Sequence, residues 1–218
     1  MYLKRLTVPW AVKKKSHKYV VVPRGAHAGD KSVPLLVALR DMLGIVEKGD
    51  EAKKIIKAGK VLVDGKICKD YKRGIGLFDV LSFPEAGKHY RLIIKKKPKF
   101  IKISEEDSKV KLCRIIGKTI LKKGKMQLNL HDGKNILVTE GDYSVNDSIL
   151  LDVAQRTIKS SIKFGPGCAI MMKSGEVQKV KNIERGLHKK IILEGESETI
   201  FRDFIVVGTD EPIIKVNE

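Results

Sequence analysis

The sequence predicts an α+β protein. A basic N-terminal extension covers residues 1–31, a small domain of two short helices on a small sheet covers 32–100, and two mostly-β domains cover 101–164 and 165–218. Three observations carry this reading. Apolar residues at helical spacing are confined to residues 32–59. After Gly59 the period switches to two, the signature of strands. From there on, short apolar runs alternate with turn residues, as expected of small barrels.

The first helix begins at Ser32 and Pro34. Serine caps well and proline suits a first helical position. Leu35, Leu36, Leu39, Met42 and Leu43 share one face, and Gly44 stops the helix. The second is read from Asp50 as N-cap, with Glu51 in the first turn where the dipole is positive. Ala52, Ile55 and Ile56 form its apolar stripe, and Gly59 is a natural stop. Lys53 and Lys57, four residues apart, share one face, with Lys54 and Lys60 near its edge. Val61 and Val63 then alternate, and Asp64-Gly65 is a strong hairpin turn. Leu77–Phe83 and Tyr90–Ile94 read as further strands. The basic run 95–102 reads either as a linker or as a lysine-guarded edge strand. The acidic group Glu105, Glu106 and Asp107 reads as a solvated loop and marks a boundary near residue 100.

Beyond it, Val110–Ile116, Met126–Leu130, Asn135–Thr139, Ile149–Val153 and Thr157–Ile162 are strand-like, with His131-Asp132-Gly133 a tight connection. The last third offers four more: Cys168–Met172, Val177–Ile183, Leu187–Leu193 and Thr199–Val207. No repeat of fixed period is present, which argues against a solenoid.

Charge narrows the function. The chain of 218 residues has 44 Lys and Arg against 26 Asp and Glu, a net of +18. Residues 1–31 hold eight basic and one acidic residue, and 32–103 hold 17 and eight. Residues 104–164 hold 11 and eight, and 165–218 hold eight and nine. The positive field therefore belongs to the front half and implies a polyanionic partner. The N-terminal segment places Trp10 and Tyr19 among lysines with a proline and no helical period. That suits an extended arm along a phosphate backbone, with an aromatic stacking or wedging.

Other classes are excluded by what is missing. The longest uncharged run is nine residues, Phe164 to Met172, against the roughly 20 that a spanning helix needs. No apolar run follows the basic N-terminus as in a secretory signal. Cys68, Cys113 and Cys168 have neither metal-ligand nor redox spacing and read as buried thiols of a reducing cytosol. The five histidines are scattered, with none beside a nucleophile motif. His17 and His27 read as phosphate contacts, and His131 as a turn residue bonding its own backbone. There is no phosphate-binding loop or dinucleotide fingerprint. No catalytic residue, metal, cofactor or small-molecule substrate is expected, and no membrane partner.

The stretch Arg40 to Asp70, with Ala52-Lys53-Lys54-Ile55-Ile56 and Gly59-Lys60-Val61-Leu62-Val63-Asp64-Gly65-Lys66, resembles the alpha-L RNA-binding domain. More broadly the chain resembles the archaeal and eukaryotic small-subunit ribosomal protein family S4e. The matching stretches include Tyr2-Leu3-Lys4-Arg5-Leu6, Gly76-Leu77-Phe78-Asp79-Val80, Lys111-Leu112-Cys113-Arg114-Ile115 and Gln127-Leu128-Asn129-Leu130-His131-Asp132-Gly133. They run in order over nearly the whole chain. The resemblance implies an alpha-L domain, a central β domain and a KOW/SH3-like small barrel at the end. The last part departs from the pattern, with a shortened loop at 173–176 and Gln178 where a glycine is usual.

The resemblance further implies a cytoplasmic, ribosome-bound structural protein whose partners are small-subunit ribosomal RNA and neighbouring ribosomal proteins. The RNA-binding residues expected are Lys4, Arg5, Trp10, Lys13, Lys14, Lys15 and Lys18 in the arm. In the alpha-L domain they are Arg40, Lys53, Lys57, Lys60, Lys66, Lys72 and Arg73. The alternatives are a free-standing RNA chaperone or RNA-modification accessory protein, and an adaptor whose β half binds a protein.

Overall fold

The computed structural model describes residues 2–10, 18–27, 32–121, 124–172, 174–184, 190–194, 198–200 and 204–216. The chain divides into two compact units, one running to Lys111 and one from Leu112.

In the first unit the N-terminal segment is no separate extension. β1 (Tyr2–Lys4) pairs antiparallel with β2 (Tyr19–Val21). β3 (Val33–Pro34) leads into α1 (Leu35–Val37), which continues as a π-helical turn over Ala38–Met42. Gly44, at φ 65°, follows. α2 spans Gly49–Lys57. Its N-cap is Lys48, whose N–H donates to Glu51 at 3.3 Å, so Asp50 lies inside the first turn and is not the cap. At the other end Gly59 (φ 76°) donates to Ile56 O and Lys60 donates to Ile55 O. This is a Schellman ending, which needs the left-handed residue that glycine supplies.

β4 (Leu62–Val63) and β5 (Lys66–Ile67) form the hairpin expected at Asp64-Gly65. Both turn residues have positive φ, 47° and 68°, as a type I′ turn requires. β6 (Gly74–Ile75) pairs with β3. β7 (Val80–Phe83), β8 (Lys88–Ile94) and β9 (Pro98–Ile103) complete a five-stranded sheet of order β5-β4-β7-β8-β9. The expected strand from Leu77 is shortened because Phe78 adopts φ 63°. The basic run is an edge strand and not a linker, so the boundary expected near residue 100 falls inside β9. Glu105–Ser108 is a short helix, α3, and not a loop. Ser104 Oγ accepts the Asp107 N–H at 3.0 Å, and the acids lie at the positive helix end. The core joins Leu35, Leu39 and Ile56 from the helices to Leu81 and Leu92 from the sheet.

The second unit contains two sheets. β10 (Val110–Ile120), β11 (Met126–Leu130), β12 (Asn135–Val138), β13 (Ser148–Asp152) and β14 (Ile158–Ile162) stand in the order β12-β11-β10-β13-β14. Cys113, Ile115, Leu128, Leu130, Ile149 and Leu151 form their core. The second sheet contains β15 (Ala169–Met172), β16 (Val177–Glu184), β17 (Lys190–Leu193), β18 (Glu198–Ile200) and β19 (Phe204–Gly208). The single strand expected over 199–207 is thus two. β18 lies at one edge of the sheet and β19 at the other, the connectivity of a small barrel. Arg114 ties the sheets of this unit together. Its guanidinium lies 4.3 Å from the Phe204 ring centroid and donates to Phe204 O (2.6 Å) and Asn146 Oδ1 (2.5 Å).

Candidate nucleic-acid interface

The segment 70–74 is fixed from two sides. Asp70 Oδ1 accepts the Lys72 N–H at 2.8 Å, and Asp70 O accepts the Arg73 N–H at 3.1 Å. Leu35 and Leu36 donate to Arg73 O and Tyr71 O, at 2.8 and 3.0 Å. On the other side Arg24 donates to Lys72 O, and Gly74 donates to Arg24 O, both at 2.7 Å. Backbone bonds therefore hold Arg24, Tyr71 and Lys72 beside the start of α1.

Between these elements lies a cleft of about 390 Å³. Four cations line it: Arg24, Arg40, Lys53 and Lys72. Tyr71 stands among them, with Lys53 Nζ 5.6 Å and Lys72 Nζ 5.5 Å from its ring centroid. Val21, Val22 and Leu36 supply apolar lining. Arg40 is oriented by Asp41: Nε donates to Oδ1 at 3.0 Å and Nη2 to Oδ2 at 2.7 Å. At the rim, Lys53 Nζ donates to Asp50 at 3.0 Å and holds that carboxyl below its usual pKa. Such an exposed pair is a weak tether.

The expected binding residues fall into groups. Arg40, Lys53 and Lys72 meet at the cleft, with Arg73 next in sequence. Lys57 and Lys66 are exposed. Lys60 is also exposed but donates to Glu85 at 2.8 Å. Lys4 and Lys18 are exposed at the same end of the β1–β2 ribbon, where Lys4 pairs with Tyr19. The backbone of Arg5 follows β1, and Lys13, Lys14 and Lys15 lie outside the described residues, as does His17.

Trp10 is a correction. Its ring is 4% exposed and packs into the core of the first unit, so no base can stack on it. His27 is another, since its Nε2 lies 2.8 Å from Asp79 Oδ2 in a buried polar cluster. The Gly76 N–H donates to the same oxygen at 2.8 Å. A Cβ at Gly76 would stand 2.2 Å from the His27 ring, so only glycine fits there. Lys111, 3% exposed, donates to Asp79 Oδ1 and, at 2.8 Å, to Asp64 Oδ2. Burial pushes the Asp79 pKa up, but Lys111 and His27 outweigh it and hold the carboxyl far below its usual range. In the second unit, His131 Nδ1 accepts the Arg114 N–H at 3.1 Å, a bond across strands and not to its own backbone. Cys113 and Cys168 are buried and Cys68 is half-buried.

Arg24 and Tyr71 are additions to the expected set. The sequence carries a signal for the second: Tyr71 stands directly before Lys72-Arg73, an aromatic beside two cations.

A small helix–sheet module with a cationic cleft on one face defines a nucleic-acid-binding class of protein. The comparisons agree with that class: the S4 domain matches residues 34–81, and ribosomal family S4e matches 86–158. Small ribosomal subunit protein eS4 of Methanocaldococcus jannaschii is 39% identical over 236 residues, spanning 99% of this chain and 97% of its own. The protein of the same name from Methanocella arvoryzae is 37% identical over 227 residues, spanning 98% and 97%. The crystal structure of 30S ribosomal protein S4e from Thermoplasma acidophilum superposes with a TM-score of 0.73 at 27% identity, covering 83% of this chain and 96% of that one. The chain belongs to ribosomal family S4e. This is a ribosomal protein family and not an enzyme family.

Proposed function

We propose that this chain is a structural constituent of the small ribosomal subunit, ribosome-bound in the cytoplasm, that binds ribosomal RNA and stabilises its fold without catalysing a reaction. The observation that carries the reading is the cationic face of the first unit. Backbone bonds fix Arg24 and Lys72 at one cleft that Lys53 of α2 also lines, and Lys57 and Lys66 stand exposed on the same unit. Lysines and arginines held in this way neutralise phosphates and release counterions. They read the shape of a folded RNA more than its sequence. The binding residues on this reading are Arg40, Lys53, Lys57, Lys60, Lys66, Lys72 and Arg73, joined by Arg24. Lys4, Arg5 and Lys13, Lys14, Lys15 and Lys18 extend the contact from the N-terminal segment. Neighbouring ribosomal proteins complete its surroundings.

Sedimentation of the native protein from its source cells in moderate salt tests this. Stoichiometric comigration with the small subunit is expected. A protein found only in the free pool contradicts it.

A further inference from the structure

We propose that the cleft of the first unit takes one unpaired RNA nucleotide, extruded from its helix, and that it selects bulged or looped RNA over continuous duplex. The proposal rests on the RNA-binding reading and adds specificity to it.

Size is the first argument. A cleft of about 390 Å³ lies near the lower end of small-molecule sites, which run from about 300 to 1,000 Å³. It has room for one nucleotide and none for a helix. A duplex backbone lies across a surface and fills no cleft.

Composition is the second. A site for phosphate alone needs cations and hydrogen-bond donors but no apolar floor. Here Leu36 is buried beneath the cleft, and Val21 and Val22 are half-buried beside it. The Tyr71 ring has two lysine ammonium groups within 5.6 Å of its centroid. A base has a π-face and apolar surface to offer such a floor, and its phosphate and ribose suit the cationic rim.

The third is the state of Arg40. Asp41 engages Nε and Nη2, which leaves Nη1 on the side facing Gly49. A Cβ at Gly49 would meet that Nη1 at 3.6 Å, an ordinary contact distance, so the nitrogen lies beside the first residue of α2 at the cleft. A guanidinium locked on one edge by a carboxylate is a rigid donor, suited to the acceptor edge of a base. Pulling a paired base from its stack costs a few kcal/mol, least for one already unpaired. The cleft therefore favours a nucleotide that the RNA fold has already set free.

The test uses the full chain and two RNA hairpins carrying the same number of phosphates, one with a single-nucleotide bulge and one fully paired. Fluorescence anisotropy gives both affinities at one salt concentration. The bulged hairpin should bind about tenfold more tightly, the order that one base stack supplies. Tyr71→Ala should bring the ratio of the two affinities close to one. Because Tyr71 also touches the core, Val22→Phe, which fills the cleft from a half-exposed position, is the second variant and should do the same. Equal affinities in the unaltered protein overturn this proposal and leave the RNA-binding reading intact. A preference for the bulge that survives both variants places the selection elsewhere and also overturns it. Failure to bind either hairpin overturns both readings.

Discussion

The two units use lysine differently. In the first, Lys54, Lys57, Lys66 and Lys72 have no carboxylate at ion-pairing distance among the described residues. In the second, Lys163 lies 2.8 Å from Asp142 and 3.4 Å from Asp147, Lys159 lies 3.1 Å from Asp152, and Lys179 lies 2.9 Å from Asp210. Hydrogen bonds to those partners raise the pKa of Lys163 and Lys179. Charge available to a polyanion is thus a matter of commitment as well as number. A lysine tied to an acid on its own chain must give up that pair before it meets a phosphate. Even within the first unit the distinction holds, because Lys111 is buried between two carboxylates and offers RNA nothing.

The buried cation gives the largest expected effect. Asp79→Ala takes from Lys111 one of its carboxylate partners and from His27 the carboxylate it meets at 2.8 Å. Breaking such a buried pair costs about 3–5 kcal/mol, to be read from urea unfolding, and a loss below 1 kcal/mol would show the cluster to be idle. The cluster also sets an acid limit. Because Asp79 is held far below the unfolded value of about 3.9, its contribution is present above that pH and lost as acid is added below it. Unfolding curves recorded down the acid range check this, and the Asp79→Ala protein should show a weaker acid dependence.

Trp10 comes next. Trp10→Ala should cost about 3 kcal/mol, in the range for a large core residue, and Trp10→Phe less than about 1.5 kcal/mol. Reduced RNA affinity with unchanged stability in the alanine variant would restore the stacking role that its burial removes.

The contrast in lysines itself gives the third effect. Lys57→Gln with Lys72→Gln, two lysines with no carboxylate at ion-pairing distance among the described residues, should weaken RNA binding about tenfold or more in low salt. It should also flatten the log–log salt slope by about 1.4 to 1.8, the loss of two phosphate contacts. Lys163→Gln with Lys179→Gln should change affinity less than threefold, and equal losses from both pairs would erase the distinction. The smallest effect concerns Lys60. Glu85→Gln frees it from an exposed pair worth about 0–1 kcal/mol, so RNA binding should strengthen slightly. A weakening would mean that Lys60 does not face the RNA.

Much of this was legible in sequence where local chemistry decides structure. Asp64-Gly65 and Gly59 each demand a positive φ, and the hairpin and the end of α2 formed where those residues stand. The alternating runs of the second unit located its strands within a few residues. What stayed hidden depends on distant partners. Lys111 meets Asp79 and Asp64 across 32 and 47 residues, and in a chain so rich in lysine nothing marks one as buried. Trp10 looked like a stacking residue because its neighbours in sequence are basic, whereas its neighbours in space are Leu35-type core residues. Arg24 joins the cleft only through its backbone bonds to Lys72 and Gly74. Phe78 broke an apparently continuous strand because Asp79 must turn inward to its buried partners.

The central claim is that the front unit grips RNA through the face bearing Arg24, Lys53 and Lys72. A high-resolution map of the small subunit isolated from the source cells tests it most directly. The account predicts ribosomal RNA phosphates against that face. The same face open to bulk solvent, with RNA contacts confined to the acid-paired lysines of the second unit, would contradict it.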